Sequence, residues 1–130
     1  MDRVVVDAPC TGSGVWRRRP DAKWRLSPQM LEARLAEQRA VLDQAAPLVK
    51  PGGRLAYITC SVLPQENRDQ VESFLSRFPH YGIVPWPDLW KAASLSAAPP
   101  QSADGSSKTL LMTPRSFGTD GFFVAVLERK

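Results

Sequence analysis

Two thiols stand where apolar runs stop. Cys10 closes Asp7-Ala8-Pro9-Cys10 behind Val4-Val5-Val6, and Cys60 follows the run Leu55–Thr59 in Thr59-Cys60-Ser61; the 130 residues hold no other cysteine. A thiolate can be a nucleophile, a metal ligand or half of a disulfide, and a free thiol also serves as a small core hydrophobe. Spacing narrows the choice. No close-spaced cysteine pair or histidine cluster suggests zinc, and the single histidine, His80, has no ligand partners around it. Two cysteines about fifty positions apart could form one bridge, but a structural disulfide is not the expectation. In open parallel sheets, ligands bind outside the carboxyl ends of the strands, which is where both cysteines fall. If the two strands are neighbours, the thiols face one cleft; the plain alternative is two small buried side chains.

The elements that must place them alternate in period. Arg3–Val6 is a continuous β-branched run, as in an interior parallel strand buried on both faces. From Ser27 to Val49, Met30, Leu31, Leu35, Val41, Leu42, Ala45 and Ala46 recur mostly at helical spacing, with Ser27 as N-cap and Pro28 in the first turn. Leu55–Thr59 is the second strand. A helix over 65–78 follows, with Val71, Phe74, Leu75 and Phe78 on one face. Residues 79–108, punctuated by Pro85, Pro87, Pro99 and Pro100, read as an irregular excursion with a flexible loop. "KTLLMTP" and "GFFVAVLER" then suggest an antiparallel hairpin across "RSFGTDG". Strand, helix, strand, helix and hairpin imply one α/β domain with parallel strands, flanking helices and a carboxyl-terminal antiparallel hairpin.

Composition limits the function classes. With 43% hydrophobic and 23% charged residues the chain supports a single modest core rather than disorder. A net charge of +4 permits a polyanionic partner without demonstrating one. No apolar stretch approaches the roughly 20 residues of a membrane span and no leader pattern opens the chain, so no membrane partner and a cytoplasmic location are expected.

"DAPCTGSG" with "RRRPDAKWRLSP", then "LVKPGGRLAYITCSVLPQEN", then "TDGFFVAVLER", resembles the carboxyl-terminal half of the catalytic domain in the Sun/Fmu family of RNA cytosine-5 methyltransferases, nearest its ribosomal RNA small-subunit methyltransferase B-like group. Pro-Cys alone carries little; Pro-Cys with Thr59-Cys60-Ser61 and Glu66-Asn67 in order carries much. The resemblance implies a partial Rossmann-like domain and S-adenosylmethionine as cofactor. It also implies an RNA substrate, ribosomal rather than, as the alternative, transfer RNA. The chemistry explains two thiols. Cytosine C5 is a poor nucleophile until a thiolate adds to C6, after which C5 attacks the methyl group, loses its proton and expels the thiol. Carried over by resemblance, Cys60 is the nucleophile, Cys10 the residue that assists product release, and Asp7 a contact to the target base, with a second candidate role at the cofactor. Read from the residues alone, Asp7 is also an acid capping a turn.

Pro9 is expected to present its carbonyl to the base, while Gly12 and Gly14 let the turn pass close to substrate or cofactor. Arg17, Arg18 and Arg19, with Trp16, Lys23, Trp24 and Arg25, interleave cations with indoles and could hold phosphates and stack a base. A solvated basic turn with core-anchored tryptophans is the other reading. Glu66 and Asn67 are expected to cap the helix behind Cys60, and Asp120–Phe123 to be structural. The family's glycine-rich cofactor loop, its second-strand acid and its first-motif lysine find no counterpart, so most of the cofactor site is expected outside the chain, which alone should be inactive. Self-association through an open sheet edge is a further expectation. A non-catalytic RNA-binding module and a piece of a DNA cytosine-5 methyltransferase are the competing functions.

Overall fold

Two β-branched runs start the sheet. In the computed structural model, which describes all residues from Met1 to Lys130, Arg3–Asp7 (β1) and Arg54–Thr59 (β2) pair in parallel, with Val4 opposite Leu55 and Val6 opposite Tyr57. Phe122–Arg129 (β5) runs antiparallel on the other side of β2, placing Leu127 opposite Leu55 and Phe123 opposite Thr59. Two three-residue strands, Tyr81–Ile83 (β3) and Leu110–Met112 (β4), share the far edge of β5, each antiparallel to it.

Alternation gives this sheet one covered face. Val6, Leu55, Tyr57, Phe123, Ala125 and Leu127 project toward helices α2 (Pro28–Ala45) and α3 (Arg68–Arg77), whose Leu42, Ala45, Val71 and Phe74 complete the core. Leu55, Phe74, Phe123 and Leu127 are fully buried, each contributing roughly 1.5–3 kcal/mol of hydrophobic free energy. Ser27 caps α2 by accepting from the Met30 amide, as its position before Pro28 predicts. Met30 itself stays exposed, outside the apolar stripe. The last turn of this segment, Ala46–Leu48, tightens to a 3₁₀ helix.

The segment 79–108 is not the uniformly irregular excursion its prolines suggest: it contains β3 and a helix, α4 (Trp86–Ala92). Proline in a first helical turn costs no hydrogen bond, so Pro87 starts this helix rather than breaking it. Leu89, Ala92 and Ala93 lie over Ala56 and Val126 on the second face of the sheet, walling a cleft of about 430 Å³. The expected hairpin forms, with a short capped helix, α5 (Pro114–Phe117), inside its connection. A further helix, α1 (Pro20–Arg25), lies in the basic stretch.

One expectation fails in an instructive way. β1 is an edge strand with β2 as its sole partner, and Val5 is 67% exposed rather than buried between two layers. The Val4-Val5-Val6 run has a covered side at Val6 and nothing against Val5. No helix is long and apolar enough to cross a membrane.

Candidate active site at the strand ends

Parallel neighbours put their carboxyl ends on the same side, and β1 and β2 are parallel neighbours. The ladder continues one residue beyond β1, where the Ala8 amide donates to Ile58 O at 2.9 Å. The chains then diverge into two loops, and the cysteines at their starts meet: Cys10 Sγ and Cys60 Sγ are 3.2 Å apart, free and half-buried. The contact has an electrostatic consequence. A hydrogen bond from Cys10 stabilises the Cys60 thiolate and brings its pKa down from 9.0 to about 7, against opposing effects of burial and of the Asp7 and Glu66 carboxylates. The same bond, with burial, pushes the Cys10 thiol well above its ordinary range. As pH rises through about 7 the pair becomes one thiol donating to one thiolate.

Behind the sulfurs lies a buried polar cluster. The Glu66 carboxylate, fully buried, accepts from the Thr11 amide (2.9 Å) and hydroxyl (2.5 Å), from the Ser61 hydroxyl (2.6 Å) and from Gln38 Nε2 (2.8 Å). Asn67 Oδ1 accepts from the Thr59 hydroxyl at 2.6 Å, while its amide donates to Ser61 O at 2.8 Å. Tyr57 Oη donates to Glu66 O at 2.6 Å, and burial drives the phenol's pKa upward. Glu66 and Asn67 therefore do not cap the helix with their side chains, as their position before it suggested. α3 begins at Arg68 with no side-chain cap, and both side chains turn back to brace the two loops. A carboxylate removed from water must have its lone pairs filled, and here four donors fill them.

Gly14 closes a backbone seam between the loops. Its amide donates to Cys60 O at 2.9 Å, and the Gly121 amide donates to Gly14 O at 2.7 Å. A Cβ on Gly14 would run into Gly121 O and come within 2.7 Å of Cys60 O. Gly121 thus provides close backbone approach as well as a turn, and Phe123 fills the core, so Asp120–Phe123 is structural. Ser13 completes the seam, its hydroxyl 3.0 Å from Ser61 Oγ and accepting from the Val62 amide at 2.9 Å.

The remaining candidate residues sort by exposure. Asp7, at the end of β1, is exposed on the same rim as the thiols. Pro9 O accepts from Gln38 Nε2 at 2.9 Å, so one lone pair of the carbonyl assigned to the base already faces the protein. Arg17 and Arg19 are exposed; Arg18 Nε donates to Asp120 at 2.7 Å and ties the basic arm to the β5 approach. Trp24 is 82% exposed with Lys23 Nζ 5.7 Å from its ring centroid, which rules out a core anchor there. Gln38 is the site residue the sequence reading missed. It sits on the stripe Leu31, Leu35, Leu42, Ala45 of α2, and a lone polar residue on an apolar stripe is the signal that marks it.

The geometry has close relatives among known proteins. The family model for the 16S rRNA methyltransferases RsmB/F matches residues 1–128. The ribosomal RNA small subunit methyltransferase B of Salmonella paratyphi B is 40% identical over all 130 residues, and the chain spans 27% of that protein's length. The crystal structure of PH0851 superposes on 98% of the chain with a TM-score of 0.82 at 37% identity, using 26% of its own length. NSun6 from Pyrococcus horikoshii, solved with SFG, superposes on 96% with a TM-score of 0.74 at 27% identity, using 29% of its own. Two thiols on adjacent strand ends, the methyltransferase fold around them and the match over nearly every residue agree: the chain belongs to the RsmB/F family of 16S rRNA methyltransferases.

Proposed function

We propose that the chain carries the cytosine-reacting half of an RNA cytosine-5 methyltransferase that uses S-adenosylmethionine and acts on ribosomal RNA. The observation that carries this reading is the 3.2 Å thiol pair in which Cys60 is held near pKa 7. The Cys60 thiolate adds to C6 of the target cytosine, with Asp7 holding N3 or the exocyclic amine so that charge accumulating on the ring is compensated. A C6–S bond forms and C5 becomes the nucleophile. After methylation the C5 proton passes to water, its bonding pair re-forms the C5–C6 double bond, and the C6–S bond breaks, returning Cys60 as a thiolate. Cys10 donates to that sulfur in the free state, so it stabilises the leaving thiolate by the bond that stabilised the attacking one. Arg17, Arg19 and Trp24 present cations and an open ring to the RNA strand.

SFG, bound to the NSun6 relative, is an analogue of S-adenosylmethionine and supports that cofactor. The residues present do not form its cradle. The Gly12-Ser13-Gly14 turn after β1 spends the Gly14 amide on Cys60 O and the Ser13 hydroxyl on Val62, and Asp7 alone offers an exposed acid at a strand end. The 130-residue chain is accordingly expected to transfer no methyl group by itself.

The test joins the chain to the cofactor-bearing portion its relatives carry and offers it RNA containing 5-azacytidine, which traps the C6 adduct. A covalent protein–RNA species that disappears in Cys60→Ser and accumulates in Cys10→Ala is expected. Adduct lost in Cys10→Ala but kept in Cys60→Ala reverses the two roles. No adduct in any form makes the chain an RNA-binding module, and methyl incorporation into duplex DNA rather than ribosomal RNA moves it to the DNA enzymes.

A further inference from the structure

We propose that Gln38, which lies outside the thiol motifs, is the positioning residue that holds Cys10 against Cys60. Its amide is completely buried in the middle of α2, at a position whose stripe neighbours are leucines and alanine. An apolar side chain would serve packing as well, and burying an amide is unfavourable unless every polar atom is matched. Here each is. Nε2 donates to Pro9 O (2.9 Å) and to Glu66 Oε2 (2.8 Å), and Oε1 accepts from Gln70 Nε2 at 3.2 Å. Both partners of Nε2 are acceptors only, which fixes which end of the amide faces them.

The bonds converge on the sulfurs. Pro9 immediately precedes Cys10, and Thr11, which follows it, is gripped twice by the Glu66 carboxylate that Gln38 holds. The same carboxylate takes the Ser61 hydroxyl, one residue beyond Cys60. The amide holds Pro9 O directly and, through Glu66, bears on Thr11 and on the residue after Cys60. Beside the Thr11–Glu66 bonds and the Ser13, Gly14 and Ser61 seam, it is the one side chain that joins the residue before Cys10 to the carboxylate behind Cys60, the control that a sulfur–sulfur contact of 3.2 Å needs.

The proposal rests on reading the two thiols as a working pair, and its test requires neither RNA nor methyl donor. The chain is oxidised with diamide: an S–S bond forms between Cys10 and Cys60 while two electrons and two protons pass to the diamide N=N bond. The rate is followed as loss of free thiol in chain that stays monomeric on a non-reducing gel. Because intramolecular rates depend steeply on alignment, Gln38→Met should form the bridge at least about tenfold more slowly than the unaltered chain. Tyr81→Phe removes a buried hydroxyl that donates to Ala46 O and bonds neither Gln38 nor the thiol loops, and should leave the rate unchanged. Where Gln38→Met does not fold, Gln38→Asn, an amide one methylene too short to span both loops, is expected to give the same slowing. Oxidation of the folded Gln38 variant at the unaltered rate, or equal slowing in Tyr81→Phe, overturns the proposal. Failure of the 5-azacytidine trap leaves these rates as they are, so the two readings fall separately.

Discussion

The loops behind the thiols and the basic arm from Trp16 to Arg25, which continues the first of them, are built on opposite plans. Ser13, Ser61, Glu66 and Asn67 of the loops, with Thr59 at the end of β2 and Gln38 of α2, are all buried, and their side chains are tied to one another or to backbone. In the arm, Arg17, Arg19, Lys23 and Trp24 are exposed; Arg25 pairs with Asp21 within it, and Arg18 ties it to Asp120. A fully matched buried network specifies one geometry, whereas exposed cations and an open indole leave theirs to a partner. Chemistry on a particular base requires the first, and binding a polyanion tolerates the second.

Substitutions can break that contrast. The largest effect is expected from Glu66→Ala, which leaves the Thr11 amide, the Ser61 hydroxyl and the Gln38 amide without their acceptor in a dry site: roughly 4 kcal/mol of stability, read from the urea midpoint. Gly14→Ala should follow at about 3 kcal/mol, because backbone from two other loops occupies the space a methyl needs. A stability change near zero in either variant would mean that the loops yield and the network is not the scaffold. Arg18→Ala, removing a bridge whose arginine is 59% exposed, should cost less than about 1 kcal/mol. Smallest of all, Trp24→Ala should shift the urea midpoint by no more than about 0.5 kcal/mol. In the protein extended to the length of its relatives, the same change should weaken single-stranded RNA binding by about 1–3 kcal/mol. An unchanged RNA affinity there would take the arm out of substrate recognition.

Sequence periodicity made the frame legible, and the reasons it stopped are physical. β1, α2, β2, α3 and the closing hairpin each carry enough apolar repeats to show their period. β3 is three residues between Pro79 and Pro85, too short to have a period, and α4 hid behind Pro85 and Pro87, which in a first turn permit a helix. The exposure of Val5 was invisible because three consecutive valines describe what a strand would bury, not what lies next to it. At the site, the meeting of the thiols followed from parallel strands with adjacent ends. The bracing roles of Glu66 and Asn67 did not, since position before a helix suggests capping and only the fold shows both side chains turned back. Gln38 was readable in principle, as a polar residue on the Leu31–Ala45 stripe, but its partners come from 28 and 29 positions away.

Whether Cys10 lowers the Cys60 pKa toward 7 is read from the pH profile of Cys60 alkylation by iodoacetamide, resolved by peptide mapping. A depressed pKa means the thiolate is present above the midpoint and lost as pH falls through it. Cys60 should therefore label with a midpoint near 7, and in Cys10→Ala, which removes the donor, the midpoint should rise toward the ordinary 9.0. Labelling of Cys60 that begins only near pH 9 with Cys10 in place, or a midpoint indifferent to Cys10→Ala, would mean that Cys10 does not activate Cys60.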